Sequence, residues 1–182
     1  GEEEVEGASH EFVRALLPWL RLNTLIAAAG AFVVYLFTDT IEQMVALAAL
    51  LPVIAALGGN AGTQALAVTI RRLALTRESA ARRWRVAFKE VLVGLVNGLV
   101  LGVIVGAASY FLFDNGSFML GAVVLFAMWG NLMVASFAGA FVPVLLERIG
   151  VDPAVASSVF VTAVTDVAGF FLLLGLATKL LL

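Results

Sequence analysis

The chain has 182 residues, 62% hydrophobic and 13% charged, with a net charge of −2 and no cysteine. So little polar surface cannot clothe a water-soluble fold of this size, and a mean hydropathy of +1.06 points to lipid as the solvent. The absence of cysteine excludes thiolate metal sites and thiol catalysis, and no basic face is left for the phosphates of a nucleic acid once the apolar spans are placed.

The opening Gly1-Glu2-Glu3-Glu4-Val5-Glu6 is acidic, unlike the basic start of a secretory signal, and suits a boundary inside a longer protein. The single histidine, His10, lies in this polar tail and carries no chemistry by itself. Residues 8–17 read as a short amphipathic segment, with Phe12, Leu16 and Leu17 on one side and Glu11 and Arg14 on another, suited to the membrane interface.

A spanning helix needs about 20 mostly apolar residues. Five segments qualify, at about 18–38, 42–70, 86–113, 118–146 and 153–181. Trp19 and Arg21 suit interface anchors for the first. The second contains Pro52 and the run Gly58-Gly59-Asn60-Ala61-Gly62-Thr63-Gln64. These residues predict either a weakened helix whose freed carbonyls line a cavity or a glycine-packed crossing with a local kink. The third carries Gly94, Gly98, Gly102 and Gly106, a small-residue stripe that lets a neighbouring helix approach closely, within the subunit or between subunits. Asn97 lies beside it and could bond across that contact. The fourth has a small, polar-tolerant side with Gly130, Asn131, Ala135, Ala138 and Gly139, and Pro143 loosens its far end.

Thr38-Asp39-Thr40 and Asp114-Asn115-Gly116-Ser117 read as tight turns. The longest connection, 71–85, carries Arg71, Arg72, Arg77, Arg82, Arg83 and Arg85, with Lys89 just beyond, which is most of the eleven basic residues. The positive-inside rule puts this loop in the cytoplasm. The expected fold class is therefore an all-α membrane protein with five transmembrane helices per subunit, its N-terminus cytoplasmic and its C-terminus extracytoplasmic. Besides setting topology, the basic loop could contact anionic lipid headgroups.

The fifth span is the most informative. Asp166 is about thirteen residues from either end, near mid-membrane, where an ionised carboxylate costs about 3 kcal/mol or more. Such a residue is a functional candidate; the bland alternative is a neutral aspartic acid bonded inside a helix contact. Ser158, Thr162, Thr165, Asp166 and Gly169 fall on one helix face, with Phe160, Val164, Val167 and Phe171 opposite. Hydroxyls and a carboxylate are hard oxygen ligands that suit Mg²⁺ or Ca²⁺. One carboxylate per chain is a poor site, and a two-fold homodimer would pair Asp166 with its copy around a hydrated ion.

Two of these segments carry a resemblance. Pro52-Val-Ile-Ala-Ala-Leu-Gly-Gly-Asn-Ala-Gly-Thr-Gln64 resembles the second-span signature of the MgtE family of magnesium channels, and Gly150 to Gly169 resembles that family's fifth-span signature. The span order, the basic loop and Asn131 fit as well, and the likeness extends to animal MgtE-like magnesium transporters. The resemblance implies a homodimeric pore in which Asp166 faces a hydrated Mg²⁺, with Thr162 lining the same site through its backbone. Asp152 would stand near the cytoplasmic mouth, and Asn60 would line the pore from the second span. Thr63, Ser158, Thr165 and Gly169 join the expected lining. The family pattern has two adjacent threonines before the aspartate, and here Thr162 is followed by Ala163.

The implied organisation is a polar tail and linker over 1–17 and a pore domain over 18–182, without the regulatory N-terminal and CBS domains of full-length bacterial members. The expected function is a Mg²⁺ channel of the cell (inner) membrane, partnered by lipid, Mg²⁺ and a second copy. An ion-coupled Mg²⁺ carrier and a non-conducting scaffold with a neutral Asp166 are the alternatives. An enzyme is not expected, since no nucleophile–base pair is evident.

Overall fold

The computed structural model describes residues 9–75, 80–113 and 117–182, with their side chains apart from those at 9–12, 15, 19, 80–83, 86 and 154–156. Parts of the expectations for the amphipathic tail, Trp19, the basic connection and the Asp114–Gly116 turn lie outside the described residues. Within them the secondary structure is helical: α1 (Ser9–Leu36), α2 (Thr38–Gln43), α3 (Ala46–Leu75), α4 (Ala80–Leu112), α5 (Phe118–Arg148) and α6 (Pro153–Leu180). Five are long and apolar enough to cross a membrane, α2 being the exception.

Several boundaries differ from expectation. The amphipathic segment and the first span are one helix, which runs through Pro18 without a break. A proline removes one backbone bond, and a long helix tolerates that loss. The expected turn at Thr38-Asp39-Thr40 is the start of α2, tied to the end of α6 by a 2.7 Å hydrogen bond between the Thr40 and Thr178 hydroxyls. The basic loop is mostly helix, because α3 continues to Leu75 and α4 begins at Ala80.

Helix α3 is also unbroken through Pro52 and Gly58-Gly59, which corrects the reading of a weakened second span. Gly58 and Gly62 serve proximity instead. A Cβ on Gly62 would fall 2.6 Å from Val161 Cγ1 of α6, and one on Gly139 of α5 would fall 2.8 Å from Ala65 Cβ. The small residues let three backbones meet where hydrophobicity cannot drive association.

Helix α5 is the hub, packed against α3, α4 and α6. Half of its apolar window is buried, against 6% for α1, which packs on α6. Leu47, Leu50 and Ile54 of α3, Val123, Val124, Met128 and Leu132 of α5, and Leu173 and Leu174 of α6 form the core. The α4 glycine stripe meets α5 within the subunit. A Cβ at Gly98 would lie 3.1 Å from the Trp129 carbonyl, one at Gly102 2.8 Å from the Leu125 carbonyl, and one at Gly106 2.6 Å from the Gly121 carbonyl. Trp129 Nε1 donates to the Leu95 carbonyl at 3.0 Å and clips the same pair together. Asn97 beside the stripe is exposed and makes no such bond.

The α5–α6 connection places the last span. Gly150 has φ +77°, the left-handed conformation that ends a helix with little cost only for glycine. Its N–H bonds the Glu147 carbonyl at 3.2 Å and that of Val151 the Leu146 carbonyl at 3.0 Å. Pro153 then opens α6, where its missing N–H is harmless.

Candidate functional site

Three helices build the site. α6 is its floor, and it packs against α3 on one side and α1 on the other. Ile54 of α3 meets Gly169 of α6, and Gly62 meets Val161 and Thr165. The two helices therefore run antiparallel, with Asn60 roughly level with Thr162 and Ala163 and Asp166 about one turn farther along α6. On the α1 side, a Cβ at Gly30 would lie 3.4 Å from the Phe170 ring and 3.9 Å from Asp166 Cβ. Glycine at 30 thus brings the α1 backbone beside the carboxylate.

The expected stripe on α6 divides in two. Ser158 and Thr162 are exposed and Asp166 is half-buried, and all three share the face between α1 and α3. Thr165 and Gly169 are buried within the subunit and do not open onto that face. Thr165 is fully buried, with its methyl toward Gly62. Gly169 is buried against Ile54 and Asn131. The reason is the arc of about 100° that the five residues cover: its edge nearest α3 is occupied by helix packing. The opposite face carries Phe160, Val164 and Phe171, all exposed except where Phe171 meets the Phe37 ring edge-on at 5.9 Å.

The hydroxyl of Thr165 donates to the Thr162 carbonyl at 2.9 Å. That carbonyl also serves the helical ladder, so both lone pairs are engaged. What Thr162 offers the open face is its side-chain hydroxyl. On α3, Asn60 and Thr63 are exposed, Asn60 lying two residues, about 200° of helix, from the Gly62 that meets α6. Thr63 donates its hydroxyl back to the Gly59 and Asn60 carbonyls, at 2.9 and 3.0 Å, which leaves its oxygen outward as an acceptor.

Asp152 stands apart. It is exposed and immediately precedes Pro153, the first residue of α6. A carboxylate just before a helix is favoured by the helix dipole on structural grounds alone. Fourteen residues separate it from Asp166, about 20 Å of helix, so the two cannot hold one ion together. Among the described residues no three histidine, cysteine, aspartate or glutamate side chains converge on a common point.

Asn131 matters more than its sequence suggests. It is fully buried at the middle of α5, between Gly58 of α3 and Gly169 of α6. Its Nδ2 donates to the Ile54 carbonyl at 3.2 Å, while Oδ1 has no partner among the described residues. One amide on an apolar helix was visible in the sequence; the two glycines that make room for it come from other spans. Ser157 beside Ser158 is also buried, with no hydroxyl partner among the described residues.

Fold and site together define a multi-pass helical membrane protein whose last span carries a half-buried carboxylate beside exposed hydroxyls. Residues 51–176 match the MgtE family, described as a divalent cation transporter, and the chain belongs to that family. It is 36% identical over 168 residues to a protein of Thermus thermophilus, covering 92% of this chain and 36% of the relative. A protein of Bacillus subtilis is 32% identical over 162 residues, covering 89% of this chain and 36% of the relative. One from Enterococcus faecalis is 33% identical over 182 residues, covering 96% of this chain and 39% of the relative. Each bears the name Magnesium transporter MgtE. The chain spans little more than a third of the length of these relatives.

Proposed function

We propose that this chain forms the membrane pore of a magnesium transporter, working as a two-fold homodimer that conducts hydrated Mg²⁺ past paired Asp166 side chains. The observation that carries this reading is the half-buried Asp166 on an open polar face of α6, beside exposed Ser158 and Thr162. A carboxylate held at mid-membrane, with no basic partner among the described residues of its own span's middle, calls for compensation.

Mg²⁺ dehydrates reluctantly and touches one or two carboxylates through its water shell. Two subunits joined along this face would bring two carboxylates to one axis, and the ion would offset their repulsion. The hydroxyls of Thr162 and Ser158 and the Asn60 amide then accept hydrogen bonds from the ion's waters. Asp152, at the end of α6 nearer the basic residues, gathers cations at the mouth. That end faces the cytoplasm of a cell membrane, because the basic residues of α3 and α4 cluster there.

The test is Mg²⁺ uptake into liposomes by this chain and by Asp166→Ala. The expected result is at least a tenfold loss of flux with the fold retained. Equal flux in the two proteins would sink the proposal. Uptake that needs a proton or Na⁺ gradient would replace a channel with a coupled carrier.

A further inference from the structure

A second polar recess lies on the other flank of α3, away from Asp166. There α3 and α4 diverge over α5, leaving a cavity of about 290 Å³. Gln64 of α3, Glu90 and Asn97 of α4 and Ser136 of α5 line it, and Glu90 is its only charged lining residue. Ser136 is 4% exposed. Gly94 lets α4 come close to Ser136, since a Cβ there would sit 2.6 Å from Ser136 Cβ.

The depth of these groups gives them meaning. The apolar window of α4 runs Ala87–Leu112. Glu90 therefore lies about one turn inside its basic end, and Asn97 about 10 Å deeper, near mid-span. The seven-residue interval puts both on one side of α4. The side chains of Gln64, Asn97 and Ser136 make no hydrogen bond among the described residues. Polar groups at such depth need partners, and water or an ion is what can enter a recess of this kind. Six waters occupy about 180 Å³ at roughly 30 Å³ each, so a fully hydrated ion fits.

We propose that this recess is a second site for a hydrated divalent cation, separate from Asp166. Glu90 supplies the charge. The Gln64 and Asn97 carbonyls and the Ser136 hydroxyl accept hydrogen bonds from the coordinated waters, and no protein oxygen replaces them. With one carboxylate the affinity is weak, on the order of millimolar.

The experiment uses Mn²⁺ as the probe and Asp166→Asn as the background, so its outcome does not depend on the pore reading. The purified chain in lipid nanodiscs is titrated with Mn²⁺ by electron paramagnetic resonance. Asp166→Asn should retain a Mn²⁺ site whose affinity falls at least tenfold when Glu90→Gln is added and returns with Glu90→Asp. Because the chain has no cysteine, a single Asn97→Cys reports on access. It should react with a hydrophilic thiol reagent, several-fold more slowly when Mn²⁺ is present. Leu99→Cys, at similar depth on the exposed side of α4, should stay unreactive. Unchanged Mn²⁺ binding on adding Glu90→Gln overturns the proposal. So does an unreactive Asn97→Cys, which would mean that a lipid chain or a helix of a second copy fills the recess.

Discussion

Asn131 of α5 reaches into α3 and donates its amide N–H to the Ile54 carbonyl at 3.2 Å, joining the middles of two spans. Gly58 and Gly169 close around the same amide from either side. In hydrocarbon such a bond contributes about 0.6 kcal/mol on average and up to about 1.7. Asn131→Ala loses the bond and leaves a cavity, so it should destabilise the bundle by about 1–3 kcal/mol. Unfolding of the purified protein in mild detergent measures this. Asn131→Leu should be no better, because branched carbons would press on both glycines.

The glycines divide by what surrounds them. Gly102→Val drives a side chain into the Leu125 carbonyl and should cost about 1–3 kcal/mol by forcing α4 from α5. A Cβ at Gly59 meets nothing within 4 Å. Gly59→Ala should therefore stabilise α3 by about 0.5–1 kcal/mol, the usual cost of glycine inside a helix. Thermal midpoints of the two variants should move in opposite directions; a shared direction would contradict the packing described.

Two threonines on α6 should behave differently despite their proximity. Thr165→Val keeps the buried shape but loses the hydroxyl bond to the Thr162 carbonyl. It should lower stability by about 1 kcal/mol and leave Mg²⁺ flux within a factor of two or so. Thr162→Val removes an exposed hydroxyl from the open face of α6 and should reduce flux several-fold with little change in stability. Paired uptake and melting measurements on both variants separate the roles.

The Thr40–Thr178 hydroxyl pair, at 2.7 Å, is the side-chain bond between α2 and the end of α6. A double-mutant cycle with Thr40→Val and Thr178→Val should give a coupling of about 0.5–1.5 kcal/mol. Zero coupling would mean that α2 is held by its apolar contacts alone.

The spans themselves were legible because lipid demands a fixed length of apolar chain, and five segments of that length stand out between charges. The ends were less so. Pro18 looked like a boundary, yet α1 passes through it, since a span keeps its remaining backbone bonds when the alternative is unsatisfied groups in lipid. Gly58-Gly59 looked like a weak point, yet Gly58 is where α3 makes room for Asn131. Periodicity placed Thr165 and Asp166 on one helix face. It could not say that α3 would cover one edge of that face and leave the other open, because that depends on where a neighbouring helix lies. The recess beside Glu90 was hidden for the same reason: its lining comes from three spans, and of its four polar residues only Glu90 and Asn97 share a helix.

The thin burial of α1 has a further consequence. Core helices open only with the whole fold, whereas weakly packed elements detach at lower free energy. Asp166 lies beside the second kind: α1 leans on α6 where Gly30 meets Phe170 and the Asp166 Cβ. The carboxylate at the centre of the last span is therefore bordered by the span with the least burial, the one whose detachment costs the bundle least.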